Sequence, residues 1–209
     1  MSRIRRLTAD YYSRSLAQHG DTPQGVDWKD SASQELRFER LLQSLPLDPN
    51  FSILDVGCGT GALVDFLSAR ISTTFRYQGI DLVAAMIESA RLKHQKAPHL
   101  RFLTQELSDV QENFDFVVSS GIFNVKQSVS EPEWVSHCKS TMSQMFEHCR
   151  RAVAFNFLTS EVDFRRDGLF YSDPAFMLRF CQQHLSRQLK LDHAYPLYEY
   201  TLTVYRAAP

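Results

Sequence analysis

The chain lacks the marks of several large protein classes. Its four cysteines, Cys58, Cys138, Cys149 and Cys181, stand far apart and form no C-x-x-C pair. That argues against a zinc site and against a thioredoxin-like redox pair. No close cluster of His, Asp and Glu suggests a metal site of another kind. No apolar run approaches the roughly 20 residues that a membrane helix needs, so a membrane is not an expected partner. There is no internal repeat and no linker rich in Gly, Ser or Pro. A basic excess is missing too: Lys and Arg number 23 against 24 acids, for a net charge of −1. Proteins that grip phosphate backbones usually carry such an excess, so nucleic acid is not an expected partner either. No apolar segment of signal-peptide length follows the arginines of MSRIRR. The expectation is a cytoplasmic protein whose cysteines are buried small hydrophobes.

What is present is an ordinary globular composition, 44% hydrophobic and 22% charged over 209 residues. That length suits one domain with a sizeable core. Residues 1–49 read as an N-terminal helical extension or lid, polar and aromatic at first, with Gly20, Pro23 and Gly25 breaking any long helix. Residues 33–45 form an amphipathic helix that Pro46 stops. From residue 50 onward short apolar runs alternate with helical patterns. Residues 51–56, 75–81, 100–104, 114–120 and 152–158 read as strands, and 61–70, 83–96 and 133–150 as helices. Such alternation implies right-handed crossovers and a doubly wound, mostly parallel α/β sheet. The end differs. Two strands, 185–191 and 198–205, have no helix between them and must pair antiparallel at one edge.

The most informative segment is Ile53-Leu-Asp-Val-Gly-Cys-Gly-Thr-Gly61. A strand ends beside an acid, and three glycines at alternate positions open a helix. Glycine serves where backbone must approach a ligand closely or take a positive φ. Open α/β sheets bind ligands at the carboxyl ends of such strands. The dinucleotide spacing is G-x-G-x-x-G, whereas this loop is G-x-G-x-G behind Asp55. A carboxylate there repels a pyrophosphate and attracts a cation such as an α-ammonium group.

Leu54-Asp-Val-Gly-Cys-Gly-Thr-Gly61 resembles the glycine loop of class I S-adenosyl-L-methionine (SAM)-dependent methyltransferases, and later segments resemble that family in order. The resemblance implies a seven-stranded sheet with a C-terminal antiparallel hairpin. It implies SAM as methyl donor and S-adenosyl-L-homocysteine (SAH) as product. Asp55, Gly57, Cys58, Gly59 and Gly61 would cradle the methionine part, Cys58 through its backbone. Gly79-Ile-Asp81-Leu82 resembles the second-strand end, where Asp81 would hold the ribose hydroxyls and Leu82 and Met86 the adenine ring. Glu106 falls where an acid faces the adenine amino group, although the family more often has Gly-Asp than Gln105-Glu106 there. Ser120 and Gly121 begin the loop that faces the transferable methyl.

The acceptor pocket of that family is built from segments that are aromatic in this chain. They supply Tyr11, Tyr12, Trp28, Phe123, Asn124 and Tyr171 as candidate acceptor contacts. His19 is the candidate general base, since histidine titrates near neutral pH; the other reading is a surface side chain beside Gly20. Tyr12 is a second catalytic candidate. Gln34 and Arg37 sit on the helix that should cover the SAM site, where one could reach the SAM carboxylate. Asp173-Pro174 looks like a helix start. The expected activity is transfer of the sulfonium methyl to a small molecule by in-line displacement. The alternatives are an RNA or protein methyltransferase and a non-catalytic SAM-binding protein.

Overall fold

The computed structural model describes residues 2–20, 22 and 30–206. Trp28 lies outside the described residues. The chain runs α1 (Arg3–His19), α2 (Ser31–Leu42), β1 (Ser52–Val56), α3 (Ala62–Arg70), β2 (Arg76–Asp81), α4 (Ala84–Lys93), β3 (Leu100–Thr104) and a single 3-10 turn (Leu107–Asp109). It continues through β4 (Phe114–Ser119), α5 (Glu131–Glu147), β5 (Cys149–Thr159), β6 (Tyr171–Ser172), α6 (Pro174–His184), β7 (Leu189–Asp192) and β8 (Glu199–Tyr205).

Seven strands lie in the order β3-β2-β1-β4-β5-β8-β7, and the two-residue β6 adds an eighth by pairing with the end of β5. The pairs from β3 to β5 are parallel, and β8 is antiparallel to both β5 and β7. The expected edge hairpin is therefore present. The chain steps from β1 outward to β2 and β3, then returns to place β4 on the other side of β1. That reversal opens a crevice at the carboxyl ends of β1 and β4.

Apolar strand runs are explained by cover on both faces. One face carries α2, α3 and α4 over a core of Phe38, Leu41, Val64, Leu67, Ile87 and Phe116. The other carries α5, α6 and the start of α1 over Trp134, Cys138, Met142, Phe157, Met177 and Tyr200. All four cysteines are free and buried.

The alternation in β8 has a different outcome from a half-exposed strand. Tyr200, Leu202 and Val204 are fully buried on one side, but Glu199, Thr201 and Thr203 are also at most 2% exposed, because α2 packs over that face. Tyr198 falls outside the strand and stays 45% exposed. The strand expected from residue 185 begins only at Leu189, because α6 holds the chain as far as His184 and Leu185 caps it.

The N-terminal extension is more regular than its breakers suggested. Ser2 caps α1, and Gly20 ends it with φ 65° while its N–H reaches Leu16 O at 2.8 Å. At the other end, Asp173 caps α6 by accepting from Ala175 N at 2.8 Å, with Pro174 in the first turn. Replacing Asp173→Ala should lower stability by about 1 kcal/mol. The check is the urea midpoint at unchanged slope; an unmoved midpoint would show that the cap contributes nothing.

Candidate functional site

Asp55, near the end of β1, is 3% exposed, and its Oδ2 accepts the Tyr77 hydroxyl at 2.7 Å. Tyr77 reaches it from β2, where Asp55 stands opposite Gly79 in register. A Cβ on Gly79 would lie 2.8 Å from Cys58 Cβ and 3.0 Å from the Tyr77 hydroxyl oxygen. Bare backbone at Gly79 is thus what lets the phenol reach the carboxylate. Burial pushes Asp55 up to about 7 against the opposing Tyr77 hydrogen bond, and neighbouring Asp81 adds to the rise.

Asp81 closes β2 and ties the loop down. Its Oδ2 accepts from Gly59 N at 3.0 Å and its Oδ1 from Val83 N at 2.9 Å. Burial raises this carboxyl too, while the backbone N–H groups of Val83, Gly59 and Leu82 pull it back. Within the loop, Gly57 has φ 79°, and a Cβ there would come within 2.3 Å of Ile122 Cγ2. The two loops at the ends of β1 and β4 therefore meet at a contact only glycine permits.

These residues line one cavity of about 550 Å³. Its wall includes Asp55, Gly57, Cys58, Gly59, Asp81, Leu82, Met86, Glu106, Ser120 and Gly121. Gly61 stands behind the wall as the left-handed cap of α3. From the N-terminal region α1 contributes Arg5, Thr8, Ala9 and Tyr12, and α2 contributes Gln34. The wall's charges are unequal. Arg5, Arg70 and Lys93 each pair with a wall carboxylate, respectively Glu106, Glu35 and Asp65. Asp55 and Asp81 are left facing the cavity without a cation partner among the described residues. The donor set suits SAM: an acid for an ammonium, an acid for vicinal hydroxyls, and Leu82, Met86 and Leu107 for a ring. It suits a pyrophosphate poorly.

The acceptor candidates divide. Tyr12 is on the wall. Tyr11 is not, and packs edge-on against Tyr12 with ring centroids 5.2 Å apart. His19 is exposed at the far end of α1 and does not reach the cavity. Phe123 points the other way: it is fully buried and stacks on Phe157 at 4.6 Å. Asn124 is a clasp, its Oδ1 accepting from Leu158 N at 3.0 Å and its carbonyl from Phe170 N at 2.8 Å. Tyr171 lies in β6, and its hydroxyl accepts from Arg166 N at 3.0 Å. Arg37 turns from the cavity to Glu199, whereas Gln34 stays on the wall. Among the described residues, no group of His, Cys, Asp and Glu is arranged to hold a metal ion.

Sequence reasoning passed over His137, Thr141 and Gln144, which reach the wall from α5. Their signal was a second stripe at helical spacing beside the core stripe of Trp134, Cys138, Met142 and Met145. Burial drives His137 down to about 4, and the Arg5 charge adds to it, so its ring is neutral at physiological pH.

Comparison with known proteins agrees with this geometry. The family described as a methyltransferase domain matches residues 53–154. Rv1506c of Mycobacterium tuberculosis, which bears a methyltransferase name, is 38% identical over 163 residues, 77% of this chain and 96% of its own. A mitochondrial ubiquinone biosynthesis O-methyltransferase of Candida albicans is 35% identical over 119 residues, 54% of this chain but only 34% of its own. In fold, magnesium protoporphyrin IX methyltransferase of Synechocystis PCC 6803 with bound SAH superposes with a TM-score of 0.70 at 15% identity, covering 98% of this chain and 100% of that one. The N-methyltransferase NodS of Bradyrhizobium japonicum WM9 with SAH gives 0.70 at 15% identity, over 96% and 99%.

Two expected outcomes follow from the acid pair. Asp81→Ala should weaken SAM binding by about 1–3 kcal/mol, the range for buried partners left unpaired; unchanged affinity in a folded variant would remove the ribose assignment. For Asp55, folding raises the carboxyl from 3.8 to about 7. The folded chain thus holds this proton more tightly than the unfolded one. Its stability contribution is complete at acid pH and is lost as pH rises through about 7. SAM needs the ionised form, so its affinity should climb with pH below about 7, with proton release, and level off above. Tyr77→Phe should move that break upward, because it deletes a hydrogen bond to the ionised carboxylate. Calorimetric titration from about pH 5.5 to 8.5 checks both, and a flat profile would contradict them.

Proposed function

The chain belongs to the SAM-dependent methyltransferase family, and from that premise we propose that it methylates a small-molecule acceptor held between α1 and α5. The observation that carries this reading is the cavity's walls. The same space that Asp55 and Asp81 border continues to Tyr12, His137 and Thr141 under the cover of α1. That is room for a compact acceptor beside the methyl donor. An RNA strand would meet a wall whose cations, among the described residues, are already paired and whose surplus charge is negative, in a chain with a net charge of −1. The relatives support the class: their names speak of ubiquinone biosynthesis and of magnesium protoporphyrin IX.

When bound, SAM supplies a methyl group on a positively charged sulfur. The protein's part is to hold the acceptor atom in line with that methyl and to exclude water. The loop of Ser120, Gly121 and Ile122 forms the wall beside the glycine loop, and Tyr12 contacts the acceptor from α1. An acceptor that arrives as a hydroxyl or an ammonium must lose a proton. His137 reaches this part of the wall with an uncharged ring that can accept a hydrogen bond from such an acceptor, while its lowered pKa makes it a weak base; His19 lies too far out in solvent to reach it.

A panel of phenols, carboxylic acids and amines, together with RNA, is assayed for SAH release. Turnover is expected on a small molecule and not on RNA. His137→Ala should then lower turnover with SAM affinity unchanged, because it removes an acceptor contact, and His19→Ala should leave both unchanged. Turnover on RNA alone would overturn the acceptor class, and a fully active His137→Ala would remove the His137 contact.

A further inference from the structure

Behind the cavity lies a buried polar chain that joins two of its walls. Arg37 of α2 donates from Nε to Glu199 Oε1 at 2.8 Å and Oε2 at 2.9 Å, and from Nη2 to Oε1 at 2.6 Å. Its Nη1 donates to Ser33 O at 2.9 Å, which fixes the guanidinium to its own helix. Glu199 opens β8 and is 1% exposed. Burial pushes its carboxyl up, and Arg37 pulls it back. Beside it on β5 stands Asn156, fully buried, with Nδ2 3.5 Å from Glu199 Oε2. Asn156 then turns to the β4 loop. Its Oδ1 accepts from Gly121 N at 2.9 Å, and its Nδ2 donates to Ser120 Oγ at 3.3 Å.

The placement of Asn156 follows from the sheet. The β4–β5 ladder ends at Ser119 opposite Phe155. The next backbone donors of that wall have lost their strand partner, and a buried N–H must find another. The Asn156 amide takes that place for Gly121, whose φ of 87° turns the loop toward the cavity. Ile122 then seats against Gly57. Stability alone does not call for so deep an ion pair, since well-packed apolar side chains commonly do as well. What an ion pair adds is a single geometry. An Asn side chain held by a charged, bidentate neighbour offers one orientation of its O and N.

We propose that Asn156, oriented by the Arg37–Glu199 pair, is a positioning residue that sets the Ser120–Gly121 loop against the methyl end of bound SAM. It acts through the loop and touches no reacting atom itself. The proposal rests on the SAM reading of the site and on the loop's facing the methyl, and it is independent of the acceptor's identity.

SAM and SAH differ at that end by one methyl group and its charge, so their relative affinity isolates the loop's position. Titration calorimetry with SAM and with SAH is run on the full chain and on Asn156→Ala. SAM affinity should fall about tenfold and SAH affinity by a much smaller factor. The double variant Arg37→Met with Glu199→Gln removes both charges without leaving either one unpaired. It should shift the SAM/SAH ratio in the same direction, and adding Asn156→Ala to it should give less than the product of the two effects. Should Asn156→Ala fail to fold, the double variant carries the test. Equal weakening of SAM and SAH would reduce Asn156 to a structural residue, and unchanged affinities would remove the role. Failure of the wild type to bind either ligand would instead overturn the cofactor reading. Tight SAM binding without small-molecule turnover would overturn only the acceptor proposal.

Discussion

Two carboxylates at the ends of adjacent strands, Asp55 buried and Asp81 half-buried, set the terms for the whole site, with no cation partner for either among the described residues. Asp55 and Asp81 face the same space from β1 and β2, and the Asp81 charge adds to the cost of ionising Asp55. In a low-dielectric pocket that repulsion is far stronger than in water. The fold tolerates it because each acid is held by neutral donors: the Tyr77 hydroxyl for Asp55, and the N–H groups of Gly59 and Val83 for Asp81. Those dipoles keep the acids pointed at the cavity but leave the charge uncompensated. A ligand that brings an ammonium group and a sulfonium restores the balance, and its binding stabilises the fold by the same linkage. A phosphate-bridged ligand would deepen the imbalance.

The surrounding wall sharpens this selection. Among the described residues its three cations are taken up by Glu106, Glu35 and Asp65, so none of these is left to offset the acid pair. The first of these pairs has a second effect, because Arg5 belongs to α1 and Glu106 follows β3. The ion pair thus ties the N-terminal helix to the sheet end of the site. The same Arg5 charge works with burial to keep His137 neutral. One surface interaction thereby links the cover of the cavity to the protonation of a side chain inside it.

Most of the sheet could be read from the chain itself, because its strands are apolar on both faces and its helices alternate with them. The glycine loop was legible for a sharper reason: Gly57 must take a positive φ where Ile122 leaves no room for a Cβ. Asp55 stood out inside that segment, and Asp81, Leu82 and Met86 were implied by the resemblance of the second-strand end to the methyltransferase family. The acceptor side was poorly legible. Aromatic residues in a loop look alike in sequence whether they face a ligand or the core, and Phe123 chose the core by stacking on Phe157. His19 looked useful as a histidine, but the glycine after it ends α1 and leaves the ring in solvent, which is the surface reading. Arg37 and Glu199 are 162 residues apart, and no local pattern foretells their meeting. His137 was hidden by the stronger apolar stripe next to it.

The two halves of the cavity are therefore held by different forces. Asp55, Asp81, Ser120 and Gly121 stand on sheet strands or on loops tied to them by hydrogen bonds from Tyr77, Gly59 and Asn156. Their positions change only if the sheet does. The opposite wall is α1, in which Ile4 alone is buried among the described residues. Beyond that contact, the restraints on α1 include the partly buried Leu7, the Arg3–Glu133 and Arg5–Glu106 pairs and Gln127 Nε2 donating to Leu7 O at 3.0 Å. Segments with so little buried surface open at a small fraction of the global unfolding free energy. A methyl donor with fixed charges is thus matched to the rigid half. Under the proposed reading the acceptor lies against the α1 half, beside Tyr12.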